Sequence, residues 1–378
     1  MTETPDLLLM KQLDELAAFE PAGYPFVSLY LNLQPDQHGR DNFKSFVRKE
    51  FKTKAKSLPP ESLELTSFKR DTARIESYLR NEVRPSANGL AIFACAGAND
   101  YFKALQLDAP LKRHDLHVNE RPHLYPLARV IDQYPRYVAV LADTNSARLF
   151  VFGVGKILGR EEMQQVKLTG PQAGGWSQMR YQRHMDNFHL QHAKEVVEVL
   201  ARVVREESVN HIILAGDEVI IPLLREQLPD RLRDKLIDVL RLDIKTPEHE
   251  VLKATMESLR EHNLHTDAEK VRQLFDEHRA GGLAVVTWND TVKAIERGQV
   301  DELLISATAR EIRTTEQAGD DSELEQHVSD EPVSTASSLM PADLLVTLAR
   351  QTGARVTFIE DTALLSSVGG VGAMLRWN

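Results

Sequence analysis

The residues best equipped for chemistry lie between Pro171 and Arg183, which read Pro-Gln-Ala-Gly-Gly-Trp-Ser-Gln-Met-Arg-Tyr-Gln-Arg. Gly170, Gly174 and Gly175, with Pro171 among them, break regular structure and give a backbone that can approach a ligand with no Cβ in the way. At the tip stand Ser177 and Gln178, a hydroxyl and a neutral amide. Such groups orient a water or donate a hydrogen bond without bringing charge to a reacting centre. Close behind come Arg180, Arg183, His184, His189, His192 and Lys194, all suited to phosphate. Trp176 offers a flat face that serves equally as a base-stacking platform or as an anchor on the following helix.

An element must carry this tip. From Gln178 to about Glu207 apolar residues recur at Tyr181, Met185, Phe188, Val196, Val199, Leu200 and Val203, close to a 3.6-residue period, which predicts a long amphipathic helix. A bare loop therefore sits on a rigid post with a basic base. A second basic element lies near the N-terminus: a helix predicted over 41–57 carries Lys44, Arg48, Lys49, Lys52, Lys54 and Lys56. By itself this is a solvated helix face, and an RNA-phosphate face is the sharper alternative.

Other constellations carry less. His189 and His192 share a helix face, but no cysteine or carboxylate completes a ligand set there, so no metal is expected. Gly153-Val154-Gly155-Lys156 lacks the Walker spacing and a following Ser or Thr. Cys95 lies inside an apolar run and reads as core. No Gly-x-Ser-x-Gly elbow exists, and no nucleophile has an obvious base partner or cofactor motif.

The chain of 378 residues is long enough for two or three domains, and 42% hydrophobic content fits a globular protein. Its net charge of −10 excludes a bulk basic field, so any contact with nucleic acid must be local. One cysteine excludes an internal disulfide framework and fits a reducing compartment. The acidic, amphipathic N-terminus is unlike a secretion signal, and no apolar run is long enough for a membrane span, so a cytoplasmic location is expected.

In order, the patterns predict a helix at 5–18, a strand at 26–33, helices at 41–57 and 62–83, and a buried strand ending at Cys95. A polar, Pro-punctuated connection, 109–126, follows. Next come a hairpin of Tyr137–Ala142 and Arg148–Gly153, a third strand from Ile157 to Leu168, the glycine loop and long helix, and strands at 209–215 and 236–242. Thr246-Pro247 and Thr266 with Glu269 read as two helix starts, and Gly281-Gly282 as a stop. The last block has a helix started by Asn289, strands at 300–306 and 355–360, and a helix from Pro341. Between them 310–339 loses periodicity and gathers acidic residues, which predicts a mobile loop. The fold class is α/β (α+β) in three domains, 1–130, 131–280 and 281–378, the middle one with a sheet of about five strands.

Gly174-Gly175-Trp176-Ser177-Gln178-Met179-Arg180-Tyr181-Gln182-Arg183 resembles the Gly-Gly-Gln loop and following helix of the eukaryotic and archaeal class-1 peptide release factors. The two glycines, Ser177, Arg180 and Arg183 match without a gap; where those factors carry the catalytic Gln this chain has Trp176, and its own Gln stands two positions later as Gln178. The glycine-rich end, Gly369 to Trp377, resembles the terminal strand of the release factors and Pelota, and the likeness is collinear from about Phe26 to Trp377. A Gly-Gly-x-x-Gln arrangement is similar to the release-factor-like peptidyl-tRNA hydrolases of a bacterial branch.

The resemblance implies a central RNase H-like domain, a C-terminal L7Ae-like domain that contacts a translational GTPase such as elongation factor Tu, and a monomer acting on ribosomal RNA and peptidyl-tRNA. It implies catalytic roles for Gln178, Gly174, Gly175 and Ser177, and RNA contacts for Trp176, Arg180, Arg183, His184, Lys44, Arg48 and Lys52. The stop-codon-reading elements Asn-Ile-Lys-Ser and Tyr-x-Cys-x-x-x-Phe are absent, so release without codon reading is the expectation. The alternative is a non-catalytic A-site occupant like the release-factor-related hibernation factor Balon, which Trp176 favours. A nuclease role for the middle domain ranks last.

Overall fold

The structure, a computed structural model, describes residues 5–35, 43–164, 178–314 and 340–377, with side chains for all of these except 5–7, 164 and 178–184. The described residues form three sheets.

The first stretch runs α1 (Pro5–Ala17), β1 (Phe26–Asn32), α2 (Phe43–Ser57), α3 (Leu63–Asn81), β2 (Gly89–Cys95), β3 (Tyr101–Leu107), β4 (Asp115–Asn119) and α4 (Tyr125–Gln133). Its strands form an antiparallel sheet in the order β3-β2-β1-β4. Alternation along β1 sends Val27, Leu29 and Leu31 to one face, where Phe43, Val47 and Phe51 of α2 and Phe68 and Ile75 of α3 cover them. Ser62 starts α3 by accepting a 3.0 Å hydrogen bond from the Leu65 amide. Cys95 is buried in β2, as its apolar setting predicts.

The second stretch runs β5 (Tyr137–Ala142), β6 (Ser146–Gly153), β7 (Lys156–Gln164), α5 (Gln178–Glu206), β8 (His211–Gly216), α6 (Ile220–Gln227), α7 (Asp230–Arg233), β9 (Leu236–Leu240) and α8 (Glu248–Arg279). The sheet order is β7-β6-β5-β8-β9, with β5, β8 and β9 parallel. Asp143 makes the β5–β6 turn by accepting from the amides of Asn145 and Ser146 at 2.7 Å each. Val154 and Gly155, with φ of 49° and 80°, make the β6–β7 turn. The Gly-Val-Gly-Lys sequence is therefore a two-residue hairpin turn.

The third stretch adds β10 (Ala284–Val286), α9 (Trp288–Glu296), β11 (Val300–Ser306), α10 (Pro341–Gln351), β12 (Arg355–Ile359) and β13 (Val371–Leu375), in sheet order β10-β13-β11-β12. Gly370, with φ of 77°, sits where a Cβ would lie 2.6 Å from the Glu311 carbonyl oxygen. That close approach seats a 3-10 turn, Ala309–Glu311, and the buried Ile312 on the sheet. The first residues of the acidic stretch thus belong to the fold, while 315–339 lie outside the described residues.

Three expectations need correction. β4 lies inside the 109–126 stretch expected to be connection, β3 forms where no element was expected, and α4 begins where the connection was expected to end; Pro126 is tolerated there as the second residue of a helix. Thr266 does not start a helix, because α8 continues unbroken through a sequence with no Gly or Pro. Trp288, with Thr287 before it, opens α9 two residues earlier than an Asn289 cap requires.

By internal contacts the chain forms two compact units: Met1–Asp6 with Tyr134–His265, and Leu7–Gln133 with Thr266–Asn378. The first and last sheets therefore share a unit. Their joint is polar and specific. Asp343 of α10 accepts from the amides of Leu124 and Tyr125 through Oδ1 at 2.9 and 3.0 Å and meets His123 Nδ1 through Oδ2. Tyr125 donates to the Ser306 carbonyl at 2.7 Å, Arg129 grips Glu360 with both carboxylate oxygens near 3 Å, and Arg350 bonds Asp14.

Candidate functional site

The post predicted for the glycine loop exists. α5 is one continuous helix from Gln178, and its described part is locked to the middle sheet: Ala193, Val196, Val197, Leu200 and Val203 pack on Val138, Val140, Leu149, Ile212 and Leu214. Burying a leucine-sized side chain in such a core contributes about 1.5–3 kcal/mol. The helix direction is therefore fixed by its C-terminal half.

Gly174, Gly175, Trp176 and Ser177 lie outside the described residues. Gln178, Arg180, Arg183 and His184 are placed as backbone in the first turns of α5, and their side chains lie outside the described set. Further along the same helix His189 is half-buried and Lys194 exposed. His192 departs from expectation. It is fully buried, and neither ring nitrogen has a hydrogen-bond partner among the described residues, so it belongs to the core and not to an RNA-facing surface.

Lys44, Arg48 and Lys52 recur every four residues on α2 and are all exposed, flanking the buried row of Phe43, Val47 and Phe51. Lys44 also lies 5.6 Å from the Phe43 ring centroid. The two basic groups stand on different compact units, α2 on one and α5 on the other.

A cleft of about 540 Å³ opens at the carboxyl ends of β5, β8 and β9, lined by Asp143, Asp217, Glu218, Arg241 and Asp243 among others. This is where parallel sheets commonly bind ligands. Here the carboxylates are spent locally: Asp143 in its turn, Asp217 on the amides of Val219 and Ile220, Asp243 on that of Lys245, and Glu218 against Arg241.

Sequence reasoning missed a group at the joint of the other unit. Asp115 and His117 stand two apart on edge strand β4, and His123 follows before α4. Asp115 Oδ1 lies 3.2 Å from His117 Nε2, and Arg113 meets its Oδ2 at 2.9 Å. The only sequence signal was the Asp-x-His spacing, which shows a shared face only once the segment is known to be a strand.

The family comparisons decide what kind of chain this is. Residues 122–260 match the model of bacterial archaeo-eukaryotic release factor family 10, and residues 264–378 match that of eRF1 domain 3.

The chain belongs to the eRF1/Pelota-like release-factor family.

Peptide chain release factor subunit 1 of Thermoplasma acidophilum is 24% identical to this release-factor relative over 97% of the chain and 94% of that protein. Among solved structures, Archaeoglobus fulgidus Pelota is 16% identical, covering 79% of this chain and 82% of that one, with a TM-score of 0.35. Dom34 of S. cerevisiae, described as a termination-like factor in RNA quality control that interacts with Hbs1, is 10% identical, covering 76% and 79%, with a TM-score of 0.43. The family-10 match spans the glycine loop and α5, and the domain-3 match spans α10 and β13. Among the described residues of this release-factor relative, no helix is long and apolar enough to cross a membrane.

Proposed function

We propose that this chain enters the ribosomal A site and hydrolyses the ester of peptidyl-tRNA on stalled ribosomes or large subunits, without reading a stop codon. The reading rests on one coincidence: within the release-factor match over 122–260, the Gly-Gly-x-x-Gln sequence runs straight into a helix that is anchored in the sheet and begins at Gln178. Ester cleavage inside a site that already aligns its substrate needs little from the factor. A water must be held near the carbonyl carbon, and developing oxyanion charge must meet a backbone N–H. In this reading Gln178 orients the water, Gly174 and Gly175 let the backbone approach, Ser177 shapes the turn, and Arg180, Arg183 and His184 hold RNA phosphate. Trp176 lies against RNA beside them, and Lys44, Arg48 and Lys52 form a separate phosphate-facing stripe on α2.

The proposal extends to a cytoplasmic, monomeric protein with an RNase H-like middle domain and an L7Ae-like last domain. The latter would meet a translational GTPase of the elongation factor Tu kind; recovery of no such GTPase in a pull-down with the full chain would count against that partner. The assay for the main claim is release of labelled peptide from stalled ribosomes by wild type and by Gln178→Ala. One observation favours a second reading. Trp176 stands in the position of the family's catalytic Gln, so the chain would occupy the A site without catalysis, as a hibernation factor does. Cosedimentation with idle ribosomes without peptide release would select that reading.

A further inference from the structure

We propose that Asp115, His117 and His123 form a binding site for one divalent transition-metal ion of the zinc kind. One donor atom of each lies within 4.8 Å of the other two, and these three are the only such group of His, Cys, Asp or Glu among the described residues. Asp115 and His117 leave the same face of β4 because side chains alternate along a strand.

Three observations point to a ligand. First, His117 Nε2 is shut off from solvent yet lacks a hydrogen-bond partner, although Asp115 Oδ1 is 3.2 Å away. A buried polar atom left so is destabilising unless a partner arrives. Two atoms at that distance without hydrogen-bond alignment match two ligands sharing one ion, which sit roughly 3.3 Å apart around tetrahedral zinc. Second, the imidazoles of His117 and His123 lie with centroids 3.7 Å apart and planes 32° from parallel. That packing brings ring nitrogens of both histidines within 4.8 Å of each other and of Asp115. Third, His123 Nδ1 is engaged by the buried carboxylate of Asp343, which is itself fixed by two backbone amides. Nε2 is the nitrogen left for a metal. A carboxylate behind the far nitrogen is the arrangement that orients metal-binding histidines.

Two imidazoles and one carboxylate suit Zn²⁺, not Mg²⁺ or Ca²⁺, which prefer oxygen ligands. Arg113 occupies the other oxygen of Asp115, Oδ2, at 2.9 Å and leaves Oδ1 to the ion. Three protein ligands leave one position for water. Because Asp343 comes from α10, the ion would brace the first sheet against the last within their common unit.

The test uses full-length, tag-free protein stripped with a chelator and dialysed. Zn²⁺ is titrated by calorimetry and Co²⁺ by visible absorption, with Mg²⁺ as the contrast. The expected result is one ion per chain, the intense visible bands of low-coordinate Co²⁺, and a rise in melting temperature with Zn²⁺. His117→Gln and Asp115→Asn should each weaken binding at least about 100-fold and lose the Co²⁺ bands, while His249→Gln, at an exposed histidine, retains both. Metal-free melting curves identify any variant that has failed to fold, and whichever of the two ligand variants remains folded carries the comparison. A wild-type chain that takes up no Zn²⁺, or a folded ligand variant that binds it as tightly, overturns the assignment.

Discussion

Asp343 is buried, and its two oxygens serve different partners, since Oδ1 receives the amides that open α4 and Oδ2 holds His123. Asp343→Ala leaves two buried amides and an imidazole without their acceptor, which should cost about 2–4 kcal/mol. Asp343→Asn keeps one acceptor oxygen and should cost less; the shift of the urea midpoint reports both. Asp132, on α4, accepts from the Phe358 amide at 3.1 Å. Burial lifts its carboxyl to about 7 against the pull of that amide and of Lys270, with Asp267 and Glu302 pushing the same way as burial. An acid whose pKa is higher folded than unfolded stabilises the fold least when ionised. Stability should therefore decline as pH rises from about 4 to about 7, because the folded state holds the proton that the unfolded state releases. Asp71 and Asp267, each lifted by burial to about 6, add to the same decline; Asp132→Asn removes its own share, so melting temperatures at pH 5 and pH 8 should lie closer together in the variant than in wild type. An unchanged gap between the two would show that Asp132 is not the group responsible.

Among the elements, α5 was legible because its apolar residues keep one period, and the β5–β6 hairpin because Asp143-Thr144-Asn145-Ser146 is turn chemistry between two apolar runs. β3 and β4 were not, because most of their residues are half-buried and no contiguous apolar run marks them. α8 was divided wrongly for a physical reason. Val251 and Leu259 serve the middle sheet while Val271 and Leu274 serve the last one, so no single stripe runs its length. The joint built on His123 and Asp343 spans more than two hundred residues of sequence, and nothing local to either residue announces it. Two outcomes belong at this scale. Leu200→Ala, in the anchored part of α5, should cost about 2–5 kcal/mol, read by chemical denaturation of the unit that contains it. Lys44→Ala/Arg48→Ala/Lys52→Ala should leave the melting temperature nearly unchanged, because all three side chains are exposed. On the proposed ribosome the same variant should bind more weakly and with a salt dependence shallower by roughly two to three in log-log slope. A slope identical to wild type would remove α2 from the RNA interface.

As a whole molecule the chain carries its cations locally against a net charge of −10, which suits a factor that docks at a few phosphates without coating RNA. One compact unit holds the first and last sheets, and the other presents the helix that follows the glycine tip. Ribosome binding alone does not separate a hydrolase from an A-site occupant, since both would cosediment. The decisive measurement is release of labelled peptide from peptidyl-tRNA on purified stalled ribosomes, with wild type and Gln178→Ala compared at saturating factor and equal ribosome occupancy. The account predicts stop-codon-independent release by wild type and a loss of at least about 100-fold in the variant, the size associated with removing a positioning or oxyanion group. Equal release by the two proteins, or none by wild type at full occupancy, would contradict it.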